Sequence, residues 1–149
     1  MAGKILDNLE RYRAESYGFK EAIGFYLEEW TPGRAVMSLD LDDRHMNRRG
    51  VVHGGVLMSI FDTACAASGR FCTVPGNVRR CTTVTMTTNF INPVTDGYLW
   101  VEATLAGRGR KMFFPEARAF DGNGVLVATA SGTFRYIGGG ANEEGVPDE

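Results

Sequence analysis

The sequence predicts an α+β fold in which a curved antiparallel sheet wraps around one long central helix. Three observations carry this. The elements run helix, two strands, one long apolar helix, then four consecutive strands. The strands are joined by short turn signals, Thr31-Pro32-Gly33, Asp96-Gly97 and Asp121-Gly122-Asn123-Gly124, which is hairpin chemistry and therefore antiparallel pairing. The segment Gly54–Gly69, GGVLMSIFDTACAASG, is apolar nearly all round with one charge, as expected of a helix covered on every side.

Residues 3–14 place Ile5, Leu6, Leu9 and Tyr12 at helical spacing and predict a short amphipathic helix that Gly18 ends. Residues 21–29 and 34–41 read as strands, with Ala35, Met37 and Leu39 sharing a face. Residues 42–52 form a polar loop leading into the apolar helix at 54–69. Beyond Pro75-Gly76, residues 81–91 alternate, with Val84, Met86 and Phe90 on one face and Thr83, Thr85, Thr87 and Asn89 on the other. Residues 98–106 alternate again through Leu99, Val101, Ala103 and Leu105. Residues 112–120 form a strand that Pro115 marks as an edge or a bulge. Residues 125–136 close the sheet. The expected domain covers residues 1–137, and the glycine-rich, acidic tail from Gly138 to 149 reads as disordered.

The gross composition excludes several classes. The chain is long enough for one domain with a real core and short for two. With 44% hydrophobic and 23% charged residues it is ordinary globular material. A net charge of −2 gives no footprint for nucleic acid. No apolar run reaches membrane-spanning length, and the charged N-terminus lacks a signal-peptide core, so a cytoplasmic location is the expectation. Three cysteines without a CxxC, and only His45 and His53 as histidines, indicate neither a disulfide framework nor a metal site.

Asp62 is the sole charge in the apolar helix, and a carboxylate there is costly unless something satisfies or uses it. His53 precedes two glycines, so a helix N-terminus with bare backbone N–H groups lies upstream of the acid. Such an end stabilises an oxyanion, and an acid beside it suits attack on a carbonyl. Eight residues of helix separate Gly54 from Asp62, a rise of about 12 Å. One carbonyl carbon cannot easily be reached by both from a single helix. If both act on it, antiparallel central helices from two copies of the chain bring Gly54 of one opposite Asp62 of the other, giving two equal sites per dimer.

The segment NRRGVVHGGVLMSIFDTA, residues 47–64, resembles the hotdog-fold acyl-CoA thioesterases of the phenylacetate-pathway type. Their pattern is Asn, a short loop, His-Gly-Gly, six residues and an acid, here Asn47, His53, Gly54, Gly55 and Asp62. The element order fits the hotdog fold over about residues 18–137. The resemblance implies that the Gly54 N–H polarises the thioester carbonyl and that Asp62, from the partner subunit, acts as general base or as nucleophile. It implies that Asn47 orients substrate or water and that Thr83 sits near the attacking water. His53 and Gly55 belong to the substrate-binding turn. Among the basic residues at strand ends, Arg79, Arg80, Arg108, Arg110 and Lys111, the family pattern favours Arg110 and Lys111 for coenzyme A phosphates. Coenzyme A enters only as part of the substrate, with no cofactor or metal, and the assembly is a homodimer that usually pairs into a homotetramer. Three rivals share the pattern. They are a non-catalytic acyl-CoA binding or sensing module, a hotdog enoyl-CoA hydratase or dehydratase, and a plain dimeric scaffold.

Overall fold

The computed structural model describes residues 7–148. The elements are α1 (Asn8–Ala14), α2 (Gly18–Ile23), β1 (Tyr26–Thr31), β2 (Arg34–Asp40), a 3-10 turn at Asp43–His45, α3 (Gly54–Gly69), β3 (Asn77–Val78), β4 (Arg80–Phe90), β5 (Tyr98–Arg108), β6 (Met112–Asp121), β7 (Leu126–Ile137) and β8 (Val146–Pro147). Six strands form one antiparallel sheet in the order β1-β2-β5-β6-β7-β4, and β3 pairs with β8 separately. The sheet curls round α3, as the element order requires.

The core lies between α3 and the inner face of the sheet. Val56, Leu57, Ile60, Phe61, Ala64 and Cys65 pack against Met37, Leu39, Leu99, Val101, Phe113 and Phe134, all buried. Closest approach is at the C-terminal end of α3. A Cβ on Gly69 would lie 2.2 Å from the Phe113 ring, so only glycine permits this contact. Phe113 in turn stacks on Phe134, with ring centroids 5.2 Å apart.

Several expectations are corrected. The strand foreseen at 21–29 is in fact α2 followed by β1. Gly24, at φ +93°, ends α2, and the chain turns into the sheet only at Tyr26. The helix has a tertiary purpose that local pattern does not reveal. It buries Lys20, whose Nζ donates to the carbonyls of Tyr12 (2.7 Å) and Glu15 (2.5 Å) and so satisfies the end of α1. The amphipathic helix expected over 3–14 is present as Asn8–Ala14, with the Asp7 carboxylate accepting from the Glu10 N–H; Ile5 and Leu6 lie outside the described residues. Pro115 is on a central strand rather than an edge. The register slips opposite it between Leu105 and Gly107, and the missing proline N–H is accommodated there.

The tail is the largest departure. Residues 138–148 were expected to be disordered and instead fold back over the C-terminal end of α3. Val146 pairs with Val78, and the Thr73 N–H donates to the Glu143 carbonyl. Arg108 pairs with Glu143 at 2.6 Å, and Asp148 is held by Arg11 (2.6 Å) and Arg80 (3.0 Å). Arginines from three distant parts of the chain thus neutralise the tail's acids, which composition alone could not foresee.

Candidate active site

Helix α3 begins and ends where the sequence places it, and the sheet covers only one side of it. Gly55, Met58 and Asp62 are exposed and Ser59, Thr63 and Ala66 are half-buried, a single stripe at three- and four-residue spacing. Within one chain, therefore, Asp62 is exposed, and the helix is not covered on every side as its apolar pattern predicts. An all-apolar helix pattern does not distinguish cover by the chain's own sheet from a face left for another surface.

Asp62 nevertheless has a specific partner. The Thr83 hydroxyl donates to Asp62 Oδ1 at 2.6 Å. Thr83 lies on β4 immediately before a β-bulge, where the register against β7 shifts between Thr83 and Thr85. Bulges re-aim side chains, and this one interrupts the simple alternation read from the sequence. Two cysteines feel the same carboxylate. Burial, then the Asp62 charge, pushes the Cys65 thiol up to about 12, and Cys81 is raised mainly by burial as well. Neither thiol is a nucleophile near neutrality. All three cysteines are free.

At the other end of the stripe, the His53 ring caps α3. Its Nδ1 accepts from the Gly55 N–H at 2.8 Å, and the His53 carbonyl accepts from the Val56 N–H. The ring thereby occupies the second amide of the helix. Among the described residues, no acceptor takes the Gly54 N–H. Gly54 lines a cleft of about 280 Å³ together with Asn47, Leu57, Phe90, Ile91 and Val94. Phe90 forms its near wall, since a Cβ on Gly54 would lie 3.2 Å from the Phe90 ring. Asn47 organises the loop below. Its Oδ1 accepts from the N–H groups of Arg49 (2.8 Å) and Val51 (3.3 Å), leaving Nδ2 as its remaining donor.

The predicted residues thus fall into two groups within one chain. Asn47, His53, Gly54 and Gly55 gather at the start of α3, while Asp62 and Thr83 meet about two turns along it. Arg110 and Lys111 lie in the exposed β5–β6 turn, at the end of the sheet away from Gly54. Arg79, Arg80 and Arg108 are instead occupied in holding the tail.

Two contributors escaped the sequence. Phe90 supplies the cleft wall from a strand end that looked like plain alternation. His45, fully buried, pins the loop. Its Nδ1 accepts from the Asp42 N–H (3.0 Å), its Nε2 donates to the Ile23 carbonyl (2.7 Å), and its own carbonyl accepts from the His53 N–H (2.8 Å). A lone histidine in a polar loop gives no local signal of that. No cluster of three or more His, Cys, Asp or Glu able to hold a metal occurs among the described residues, and none of their helices is long and apolar enough to cross a membrane.

A sheet curled round a helix whose first N–H is left untaken, with an acid farther along that helix, is the arrangement of a hotdog protein. The profile of the Thioesterase superfamily matches residues 49–128, and the chain belongs to that superfamily of thioester hydrolases. A Pseudomonas aeruginosa protein carrying the provisional name esterase PA0474 is 30% identical over 111 residues, covering 74% of this chain and 81% of its own. The conserved protein PA5202 of Pseudomonas aeruginosa shares 30% identity at TM-score 0.73, with 85% of this chain and 98% of that chain covered. In fold, the chain is also similar to the E. coli PaaI protein from the phenylacetic acid degradation operon (TM-score 0.73, 21% identity, 93% and 91% covered).

Proposed function

We propose that the protein is an acyl-CoA thioesterase whose active site is shared between two copies of the chain. The observation that carries this is the division of α3. An untaken Gly54 N–H opens one end of its uncovered stripe, and a threonine-held carboxylate stands about 12 Å farther along. The uncovered stripe runs beside β4, whose outer edge has no strand partner among the described residues and which carries exposed Val84 and Phe90, with Ile91 following. A second copy laid antiparallel on this surface covers the apolar side chains and brings each Asp62 to the other copy's Gly54.

In the proposed mechanism, the Gly54 N–H and the dipole of α3 stabilise the oxyanion as water adds to the thioester carbon. Asp62 takes the proton of that water and passes it to the departing coenzyme A thiolate as the carbon–sulfur bond breaks. Thr83 holds the carboxylate, and Asn47 Nδ2 orients substrate or water. Arg110 and Lys111, exposed at their turn, meet the coenzyme A phosphates. Positioning, a base and charge stabilisation suffice for the reaction, so no cofactor is invoked. Pairs of dimers form the tetramer.

The test is a thiol-release screen across aryl-acetyl, benzoyl, medium-chain and long-chain acyl-CoAs, with Asp62→Asn as control. The variant is expected to keep its fold and oligomeric state and to lose about 10²–10⁴-fold in turnover. Near-normal turnover would refute the assignment. In a single turnover in labelled water, label in the Asp62 carboxylate identifies a nucleophilic acid whose anhydride is opened at the aspartyl carbonyl, and trapping of the acyl–Asp62 anhydride with hydroxylamine identifies one opened at the acyl carbonyl; a general base gives neither.

A further inference from the structure

At the opposite end of α3 from Gly54, beneath α1, lies a small cavity of about 30 Å³ lined by Arg11, Tyr12, Glu15, Trp30, Arg70 and Arg79. Three buried polar atoms lie around it, Tyr12 Oη, Arg70 Nε and Arg79 Nη2; neither guanidinium nitrogen has a hydrogen-bond partner, and Tyr12 Oη has only the Tyr17 hydroxyl beside it. Tyr12 and Arg79 are each only 4% exposed. Orphaned buried donors are rare and call for an occupant.

The charges around the cavity do not cancel. Arg11 is paired with Asp148, but neither Arg70 nor Arg79 has an ion pair among the described residues. Arg79 uses its other donors on backbone carbonyls, Nε on Gly140 (2.8 Å) and Nη1 on Phe71 (3.0 Å), and lies over the Tyr136 ring. Arg70 stacks on Trp30. Glu15 lines the cavity without pairing to either guanidinium. Carbonyls at the end of α3 would repel an anion, but they are engaged elsewhere. Ala67 accepts from the Trp30 indole N–H at 2.7 Å, and Gly69 accepts from the Tyr136 hydroxyl.

We propose that this cavity is a binding site for a compact monovalent anion of halide size, held by Arg70 Nε, Arg79 Nη2 and the Tyr12 hydroxyl. Two guanidiniums without a direct ion pair, facing the single carboxylate of Glu15 in the lining, favour an anion over water. The volume exceeds the room one water needs and accommodates a compact ion. The bound ion would join α1, the end of α3 and the docked tail into one charge-balanced cluster, separate from the thioesterase site.

The test uses the full-length protein in two measurements. Thermal unfolding is followed as chloride replaces gluconate at constant ionic strength. The expected result is a saturable rise of about 3–6 °C, complete at millimolar to tens of millimolar chloride, below the range of general salt effects. Tyr12→Phe and Arg70→Gln, which leave the Arg79 anchor intact, should each remove most of the rise. Crystals grown in bromide should show its anomalous peak within hydrogen-bond distance of Arg79 Nη2. Equal melting in both salts overturns the proposal, as does a cavity filled by water. A bromide peak without any chloride effect on melting marks an adventitious ion and overturns it equally.

Discussion

At the scale of single residues, the hydrogen bond from Thr83 to Asp62 is the contact on which the acid's geometry depends. A hydroxyl donating to a carboxylate fixes its direction. Thr83→Val keeps the β-branched shape and removes the donor. It is expected to lower kcat about tenfold with KM little changed, because the loss of roughly 1.5 kcal/mol falls on the reacting geometry rather than on binding. Thr83→Ser should restore most of the rate, whereas a merely structural strand residue would show no rescue by the smaller hydroxyl. The residues here were unequally legible. Gly54, His53 and Asp62 stand out by spacing and by isolated charge. The capping role of His53, which commits the Gly55 amide and leaves that of Gly54, depends on a ring orientation that no spacing encodes.

Among the elements, α3 is both the best-read and the most constrained. Its bounds follow from the two glycines that open it, the long apolar run and the glycine that closes it. Gly69 is there for proximity, since a side chain would collide with Phe113 beneath it. Gly69→Ala is expected to cost about 1–3 kcal/mol by displacing the Phe113–Phe134 stack, measurable as a lower denaturation midpoint with unchanged slope. Elements whose reasons are tertiary were not legible. Helix α2 exists because Lys20 is needed at the end of α1, and the tail is ordered because arginines near positions 11, 80 and 108 await its acids. Local composition sees six mixed residues in one case and glycines with glutamates in the other. The tail's pairings lie too far apart in the chain for any window of periodicity, and the Lys20 contacts, although local, follow no helix or strand period.

For the molecule as a whole, the open stripe on α3 and the unpaired edge of β4 make one surface, and the proposed site depends on what covers it. Hybrid complementation tests this without a structure. Asp62→Asn chains, and chains blocked by Gly54→Val against Phe90, should each be inactive alone. Hybrid dimers purified through two different tags combine one intact Gly54 with one intact Asp62 at a single site. They should recover about half of the wild-type rate, as two-fold symmetry requires. Hybrids that exchange subunits yet remain inactive would place the chemistry within one chain. The sequence yielded the fold class and this cross-chain demand, because element order and helix rise are properties of the chain alone. It did not reveal that the Asp62 face is open within one chain, because an apolar pattern does not say which surface covers it.

The docked carboxyl end also provides a practical handle. Asp148 is clasped beside Arg80 at the start of β4, and Phe90 at the mouth of the cleft ends the same strand, about 33 Å away. A dye or surface tether joined at the tail departs from the pole opposite its own subunit's Gly54 cleft, on the side of the Arg110–Lys111 turn.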